Sequence, residues 1–234
     1  TMIVADTPGG LVTSRLMLNL NEPCKLEDTS WIHPTKYMGV WWEMIVGKSS
    51  WAYSNASAVN LDSIDYKTMK PNGIHGANND NVKRYIDFAA ENQLEYIIID
   101  EGWSGKESLM EDISPEINLE ELVAYGNQKG IGIILWASYN SIVKNPEKAM
   151  SHYARMGFKG FKIDFINRDD QQAVKFCERM ARIAAENHLL IDFHGVYKPA
   201  GIQRTYPNVL NFEGVAGLEQ LKWSPEGYDE VTYD

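Results

Sequence analysis

The sequence lacks the features that mark several common classes of protein. Its 22 basic residues are outnumbered by 32 acidic ones, which gives a net charge of −10, and an anionic surface repels the phosphate backbone of a nucleic acid. No apolar run reaches the roughly 18 residues that a membrane-spanning helix needs. The composition therefore predicts neither a nucleic-acid partner nor a membrane span.

Several motifs of metal and nucleotide chemistry are also absent. There is no His-x-x-His, His-Glu-x-x-His or Cys-x-x-Cys pair, which disfavours a zinc site. The sequence has neither Gly-x-Ser-x-Gly nor a P-loop, which disfavours a serine hydrolase and an NTPase. Only two cysteines occur, Cys24 and Cys177, and they are compatible with one disulfide or with two thiols.

Short apolar runs alternate with longer stretches of helical periodicity along most of the 234 residues. The pattern predicts six strands, at Met38–Val46, Leu94–Asp100, Ile131–Ser138, Gly160–Ile166, Leu189–His194 and Val209–Val215. It predicts helices between them, the clearest at Asn79–Asn92, Asn118–Lys129, Asn145–Met156 and Asp169–Asn187. Repeated strand–helix units with apolar strands are typical of a parallel sheet covered by helices.

Polar residues collect where the predicted strands end, at Asp100, Asp164, His194 and Glu213. A (β/α)8 barrel gathers its reactive groups at the carboxyl ends of its strands. The alternative is a doubly wound open sheet, but no Gly-x-Gly-x-x-Gly follows the first strand. We therefore predict an incomplete (β/α)8 TIM barrel, with about six of eight strands, over residues 38–234. Residues 1–37 are predicted to lead in from an upstream domain, and we expect the chain to be part of a longer enzyme.

Two pairs of charged residues are candidates for chemistry. Lys162 and Asp164 alternate along one strand and so share a face, where the cation favours an ionised carboxylate that could act as a nucleophile. A buried structural ion pair explains them equally well. Glu213 and Glu219 flank a segment bounded by glycines, so they could converge on a hard cation such as Ca²⁺ or supply a general acid. The alternative is a solvated loop with two unrelated glutamates.

Aromatic residues next to polar ones suit sugar recognition. Asp100 precedes Glu-Gly-Trp103, and Trp136 ends the third predicted strand. Carboxylates accept hydrogen bonds from sugar hydroxyls, and an indole packs on the C–H face of a sugar ring. A strand-end cap and core tryptophans are the alternative explanation. His194 is a single histidine at a strand end, which is more often structural than a ligand.

These segments together resemble glycoside hydrolase family 97. The resemblance rests on Lys162-Ile-Asp164-Phe, on Asp100-Glu-Gly-Trp103, and most specifically on Glu213-Gly-Val-Ala-Gly-Leu-Glu219. It implies the catalytic barrel of a calcium-dependent, exo-acting α-glycosidase that works outside the cytoplasm. An Asp on the fourth strand and Gly195, rather than Glu, after the fifth-strand histidine match the retaining α-galactosidase branch.

By resemblance, Asp164 is the nucleophile and Glu219 the general acid/base, with Glu213 and Glu219 near Ca²⁺. The substrate would be an α-galactoside. Its binding residues would be Asp100, Trp103, Trp136, Lys162 and His194, of which the two tryptophans come from the sugar-recognition reasoning alone. Family calcium sites also use a glutamate from an N-terminal domain, so we expect N-terminal and C-terminal domains beyond this chain. Retention predicts carboxyl groups about 5–5.5 Å apart.

Three other functions remain open at this point. The first is an inverting α-glucosidase of the same family, which would use a glutamate base in place of the Asp nucleophile. The second is a catalytically silent sugar-binding barrel, although a pure binder needs no pair such as Asp164 and Glu219. The third is a metal-dependent lyase or isomerase, which would use carboxylates at successive strand ends to bind Mg²⁺.

Overall fold

The computed structural model describes residues 2–50, 75–105 and 108–215, together with Gly217 and Glu219. Its centre is one sheet whose six strands are all parallel and lie side by side in chain order. The strands are β1 Tyr37–Gly39, β2 Tyr96–Ile99, β3 Gly132–Ser138, β4 Gly160–Asp164, β5 Leu190–His194 and β6 Val209–Glu213. A doubly wound sheet reverses its strand order part-way. The unbroken order and the curl of the sheet confirm the prediction of an incomplete (β/α)8 barrel.

Helices precede the first strand and connect each strand to the next. In the described part of the chain they are α1 Pro8–Thr13, α2 Leu16–Asn19, α3 Trp41–Ile45, α4 Asn79–Glu91, α5 Leu119–Lys129, α6 Tyr139–Ile142, α7 Pro146–Met156, α8 Gln171–Glu186 and α9 Ile202–Thr205. The sequence sets their ends: the Asn118 side chain accepts from the Glu121 amide at the start of α5, and Gly130 closes it in the left-handed region. None of these helices has the length and apolar content to cross a membrane.

The two faces of the sheet differ in chemistry because strand side chains alternate in direction. The outer face packs on the helices and forms the core with residues such as Ile97, Leu135, Phe161, Ile163 and Phe193. The side chains at the alternate positions of each strand point to the inner face. On that face, polar residues are concentrated towards the carboxyl ends of the strands. Those positions are Asp100, Trp136, Ser138, Lys162, Asp164, Asp192 and His194.

An irregularity in β6 completes the inner face. The pairing of β5 and β6 shifts between Ile191 and Asp192, so that Asp192 lies opposite Asn211 and His194 opposite Glu213. A β-bulge of this kind redirects the side chains that follow it. Asn211 and Glu213 are therefore brought beside the polar residues of β5.

One local prediction was wrong. Met38–Val46 was predicted as one strand, but the strand ends at Gly39 and the chain turns into α3. The connection between α3 and α4 lies mostly outside the described residues, as do residues 220–234. The two cysteines are free thiols, Cys24 exposed and Cys177 buried.

Candidate active site

Strand β4 places a buried cation at the centre of the inner face. The Lys162 Nζ lies 2.8 Å from Asp100 Oδ2, and both side chains are almost fully buried. Burial lowers the pKa of Lys162, but the charges of Asp100, Asp164 and Asp192 outweigh it and leave the pKa above its ordinary value. The site therefore contains a permanent positive charge surrounded by carboxylates.

Asp164, two residues along the same strand, is held by two N–H donors. The Trp136 Nε1 donates to Asp164 Oδ2 at 3.1 Å, and the Phe165 amide donates to Oδ1 at 2.7 Å. Burial raises the pKa of Asp164, while Lys162 and His194 act against that rise. A carboxylate fixed at both oxygens beside two cations has the orientation and charge that a nucleophile needs.

His194 lies between two carboxylates. Its Nε2 is 3.1 Å from the Asp192 carboxylate, and its Nδ1 is 2.8 Å from Glu213 Oε2. Burial lowers the pKa of His194, but the opposite effect of the two carboxylates is larger, and the pKa rises to about 9. The resulting imidazolium donates from both nitrogens and holds the pKa of Glu213 below its usual range.

Asp192 is a site residue that the sequence reasoning missed. Besides His194, its carboxylate accepts from the Tyr37 hydroxyl at 3.1 Å and from the Asn211 amide at 3.0 Å. It therefore joins β1, β5 and β6 across the inner face. Period-two alternation backwards from His194 along β5 is the signal that could have found it.

Glu219 is bound by an indole from the other end of the chain. The Trp41 Nε1 donates to Glu219 Oε2 at 2.5 Å, and the same indole lies 5.9 Å from Lys162 Nζ. Burial raises the pKa of Glu219, the Trp41 donor opposes the rise, and the charges of Glu213 and Asp164 add to it. A half-buried carboxyl with a raised pKa retains a proton that it can give to a leaving group.

The two tryptophans predicted to bind sugar are both buried. Trp103 is fully buried and its Nε1 donates to the Trp136 carbonyl, while the Trp136 ring is 1% exposed. Neither ring offers a face to a ligand in this structure. The structure does bring Asp100, Lys162, Asp164, His194 and Glu213 together, and Glu219 interacts electrostatically with this group.

Comparison with known proteins identifies the family. The family model described as Glycoside hydrolase 97 matches residues 41–215, about three quarters of the chain. The chain belongs to glycoside hydrolase family 97. This result confirms the resemblance drawn from the sequence.

Relatives within family 97 are much longer than this chain. It is 44% identical to a protein from Bacteroides thetaiotaomicron named a retaining alpha-galactosidase. The alignment spans 233 residues, which are 99% of this chain and 32% of that protein. A probable retaining alpha-galactosidase from Streptomyces bingchenggensis is 33% identical over 144 residues, 59% of this chain and 23% of that protein. The chain thus spans about a third or less of the length of these curated relatives.

Solved structures of the family have the same fold. A variant of a family 97 enzyme from a Pseudoalteromonas species superposes with a TM-score of 0.75 at 26% identity, covering 91% of this chain and 34% of that one. The agreement extends over nearly all of this family 97 chain and over about a third of the larger structure.

The residues that the family resemblance assigns to calcium, Glu213 and Glu219, could provide only part of a ligand set. Glu213 and Glu219 interact electrostatically and both supply the carboxylate oxygens that Ca²⁺ prefers. One oxygen of Glu213 is taken by His194 and one of Glu219 by Trp41. Across the described residues, no group of three His, Cys, Asp or Glu side chains could hold a metal. The donor chemistry of these two carboxylates fits Ca²⁺, but a Ca²⁺ ion takes six to eight oxygen ligands, more than Glu213 and Glu219 supply.

Proposed function

We propose that this chain is the catalytic barrel of a retaining, exo-acting α-galactosidase that hydrolyses terminal α-galactosides by double displacement. The observation that carries the proposal is the pair Asp164 and Glu219. Each carboxyl accepts from an indole N–H, and the charge of Asp164 contributes to the raised pKa of Glu219. The 44% identity to a protein named a retaining alpha-galactosidase supports the choice of substrate and of stereochemical outcome.

The proposed reaction has two steps. In the first, Asp164 attacks the anomeric carbon while protonated Glu219 gives its proton to the glycosidic oxygen, and the aglycone leaves. In the second, Glu219 takes a proton from water, whose oxygen displaces Asp164 and restores the α configuration. Lys162 and the imidazolium of His194 stabilise the ionised form of Asp164. They do so in the free enzyme and again in the second step, when the Asp164 carboxylate leaves the anomeric carbon.

Gly195 argues against the inverting alternative. A Cβ at Gly195 would lie 2.8 Å from Asn167 Oδ1 and 3.5 Å from Asp164 Oδ1, and the residue has a φ of +55°. A glutamate base at this position would need a strained backbone and the space beside Asp164. A glycine at position 195 therefore leaves the space that Asp164 needs, which fits Asp164 as the nucleophile.

We also propose that Glu213 and Glu219 contribute two ligands to a calcium ion, which would orient the leaving group and supply positive charge near it. The test is calcium titration by calorimetry of the chelator-treated natural polypeptide that carries this sequence. Glu213→Gln should weaken calcium binding at least tenfold, whereas Glu120→Gln, an exposed glutamate of α5, should not. Equal binding by both variants would refute this assignment.

The stereochemical test uses the natural polypeptide and an aryl α-galactoside. NMR during early turnover should show α-galactose first, and β-galactose first would refute retention. Asp164→Ala should lose turnover by about 10⁴-fold or more, and added azide should restore it with formation of a β-galactosyl azide. Asp80→Ala, which removes an exposed carboxylate from α4, should behave as the wild type. Galactose binding without any hydrolysis would instead favour the silent sugar-binding barrel.

A further inference from the structure

We propose that the ring of Phe165 is the aromatic platform of this site, packing against the C–H face of the sugar that Asp164 attacks. The inference rests on the proposed function and names a substrate-contacting residue that the sequence reasoning did not consider. It replaces the two buried tryptophans as the source of aromatic contact.

The backbone of Phe165 is in an unusual conformation. Its φ is +60°, in the left-handed region, which a bulky aromatic residue rarely adopts. Close by, the same region is occupied by Asn167 at φ +47° and by Gly195 at φ +55°, residue types that tolerate it. Strained backbone of this kind is concentrated at functional sites, where the surrounding structure maintains it.

The hydrogen bond to Asp164 explains the conformation but not the side chain. The left-handed turn directs the Phe165 amide to Asp164 Oδ1 at 2.7 Å. An amide of asparagine or glycine would make the same bond at a lower conformational cost. A phenylalanine at this position therefore implies a use for its ring.

The ring is exposed beside the candidate nucleophile. Phe165 is 43% exposed, so only part of the usual gain from burying an aromatic side chain offsets its backbone strain. The ring meets the Trp136 indole edge to face, with centroids 5.8 Å apart, and that indole is the one that donates to Asp164. Trp136 thus supports both the carboxylate and the exposed ring.

An exposed aromatic face next to a buried, charged centre suits a pyranose. The axial hydroxyl of galactose leaves a patch of C–H bonds on one face of the ring, and aromatic faces bind such patches. The hydroxyls would point to the polar groups around Lys162. The site therefore has the mixed lining, apolar on one side and polar on the other, that is usual for small-ligand pockets.

The test compares Phe165→Asn with Phe165→Tyr in the natural polypeptide. Asparagine tolerates the left-handed region and removes the ring, so folding should be retained, with a melting temperature at or above that of the wild type. We expect Phe165→Asn to raise KM for an aryl α-galactoside and Kd for galactose by about tenfold, with kcat within about threefold. Phe165→Tyr keeps an aromatic ring, so its KM and Kd should equal those of the wild type. Phe88→Asn, at an exposed phenylalanine of α4, is the matched control and should change neither.

The same titrations separate this inference from the proposed function. If the wild type binds glucose in place of galactose, the choice of galactoside fails, but a tenfold loss of glucose binding in Phe165→Asn still supports the platform. KM and Kd within twofold of the wild type in a folded Phe165→Asn protein would overturn it. So would a loss of the same size in the Phe88 control, or the absence of binding to either sugar.

Discussion

Replacing Lys162 by methionine should strongly destabilise the barrel. Methionine keeps the length and apolar volume of the lysine stem but removes the charge. In the wild type, Nζ lies 2.8 Å from Asp100 Oδ2, and the side chains of Lys162 and Asp100 are only 11% and 5% exposed. The charges of Asp164 and Asp192 also act on this cation. The substitution thus leaves several carboxylates on the inner face without their shared counter-charge.

The expected size follows from that burial. Removing one partner of a buried ion pair costs about 3–5 kcal/mol, because the remaining charge stays in a medium of low polarity without compensation. Lys162→Met with Asp100→Leu should recover about 2 kcal/mol or more of this loss, since the double change removes both charges.

Urea unfolding, followed by tryptophan fluorescence, measures the loss of stability, and Lys162→Met should unfold at a lower midpoint urea concentration than the wild type. Arg182→Met is the matched control, because Arg182 pairs with Glu186 one helical turn away and both side chains are about half exposed. An exposed pair of this kind contributes about 0.3–0.5 kcal/mol. A Lys162→Met loss as small as that of the control, or a double variant less stable than Lys162→Met alone, would refute the reasoning.

Two more predictions concern the reacting groups. Because the pKa of Glu219 is raised, its proton is retained to higher pH, so kcat/KM should fall only as the pH rises through that raised value. Glu219→Gln should remove this basic limb from the pH profile, and an unchanged limb would exclude Glu219 as the acid. Gly195→Ala should lower stability by about 1 kcal/mol, because alanine is strained at a φ of +55°. It should also lower kcat, since the new Cβ meets Asn167 and lies near Asp164; a urea midpoint and kcat equal to those of the wild type would contradict both effects.

The sequence was informative wherever a local pattern was decisive. The run from Ile131 to Ser138 and the caps Asn118 and Gly130 fixed a strand and a helix to within one residue. Where apolar residues were continuous, as in Met38–Val46, periodicity could not distinguish a strand from a helix. Packing decided that case: Val40 and Met44 are both buried, and their four-residue spacing is helical.

The site was predictable only in part for a similar reason. Lys162 and Asp164 share a strand, so alternation alone placed them on one face. Alternation along β5 could also have placed Asp192 on that face, but its hydrogen bond with Tyr37 joins residues 155 positions apart, and the left-handed turn at Phe165 leaves no local pattern in the sequence. The sugar-binding prediction for Trp136 rested on residue type, and residue type alone does not show that a side chain is buried.

The hydrogen bond between Trp41 and Glu219 has a consequence for the biosynthesis of the chain. The two residues are 178 positions apart, and Tyr37 and Asp192 are 155 apart. At 5–20 residues per second, the ribosome needs roughly 10–40 s to extend the chain from Trp41 to Glu219. Asp164 and Lys162 are synthesised within that interval, before Glu219. On the roles proposed above, a nascent barrel would therefore carry its nucleophile before its proton donor, and the contact between Trp41 and Glu219 could form only late in synthesis.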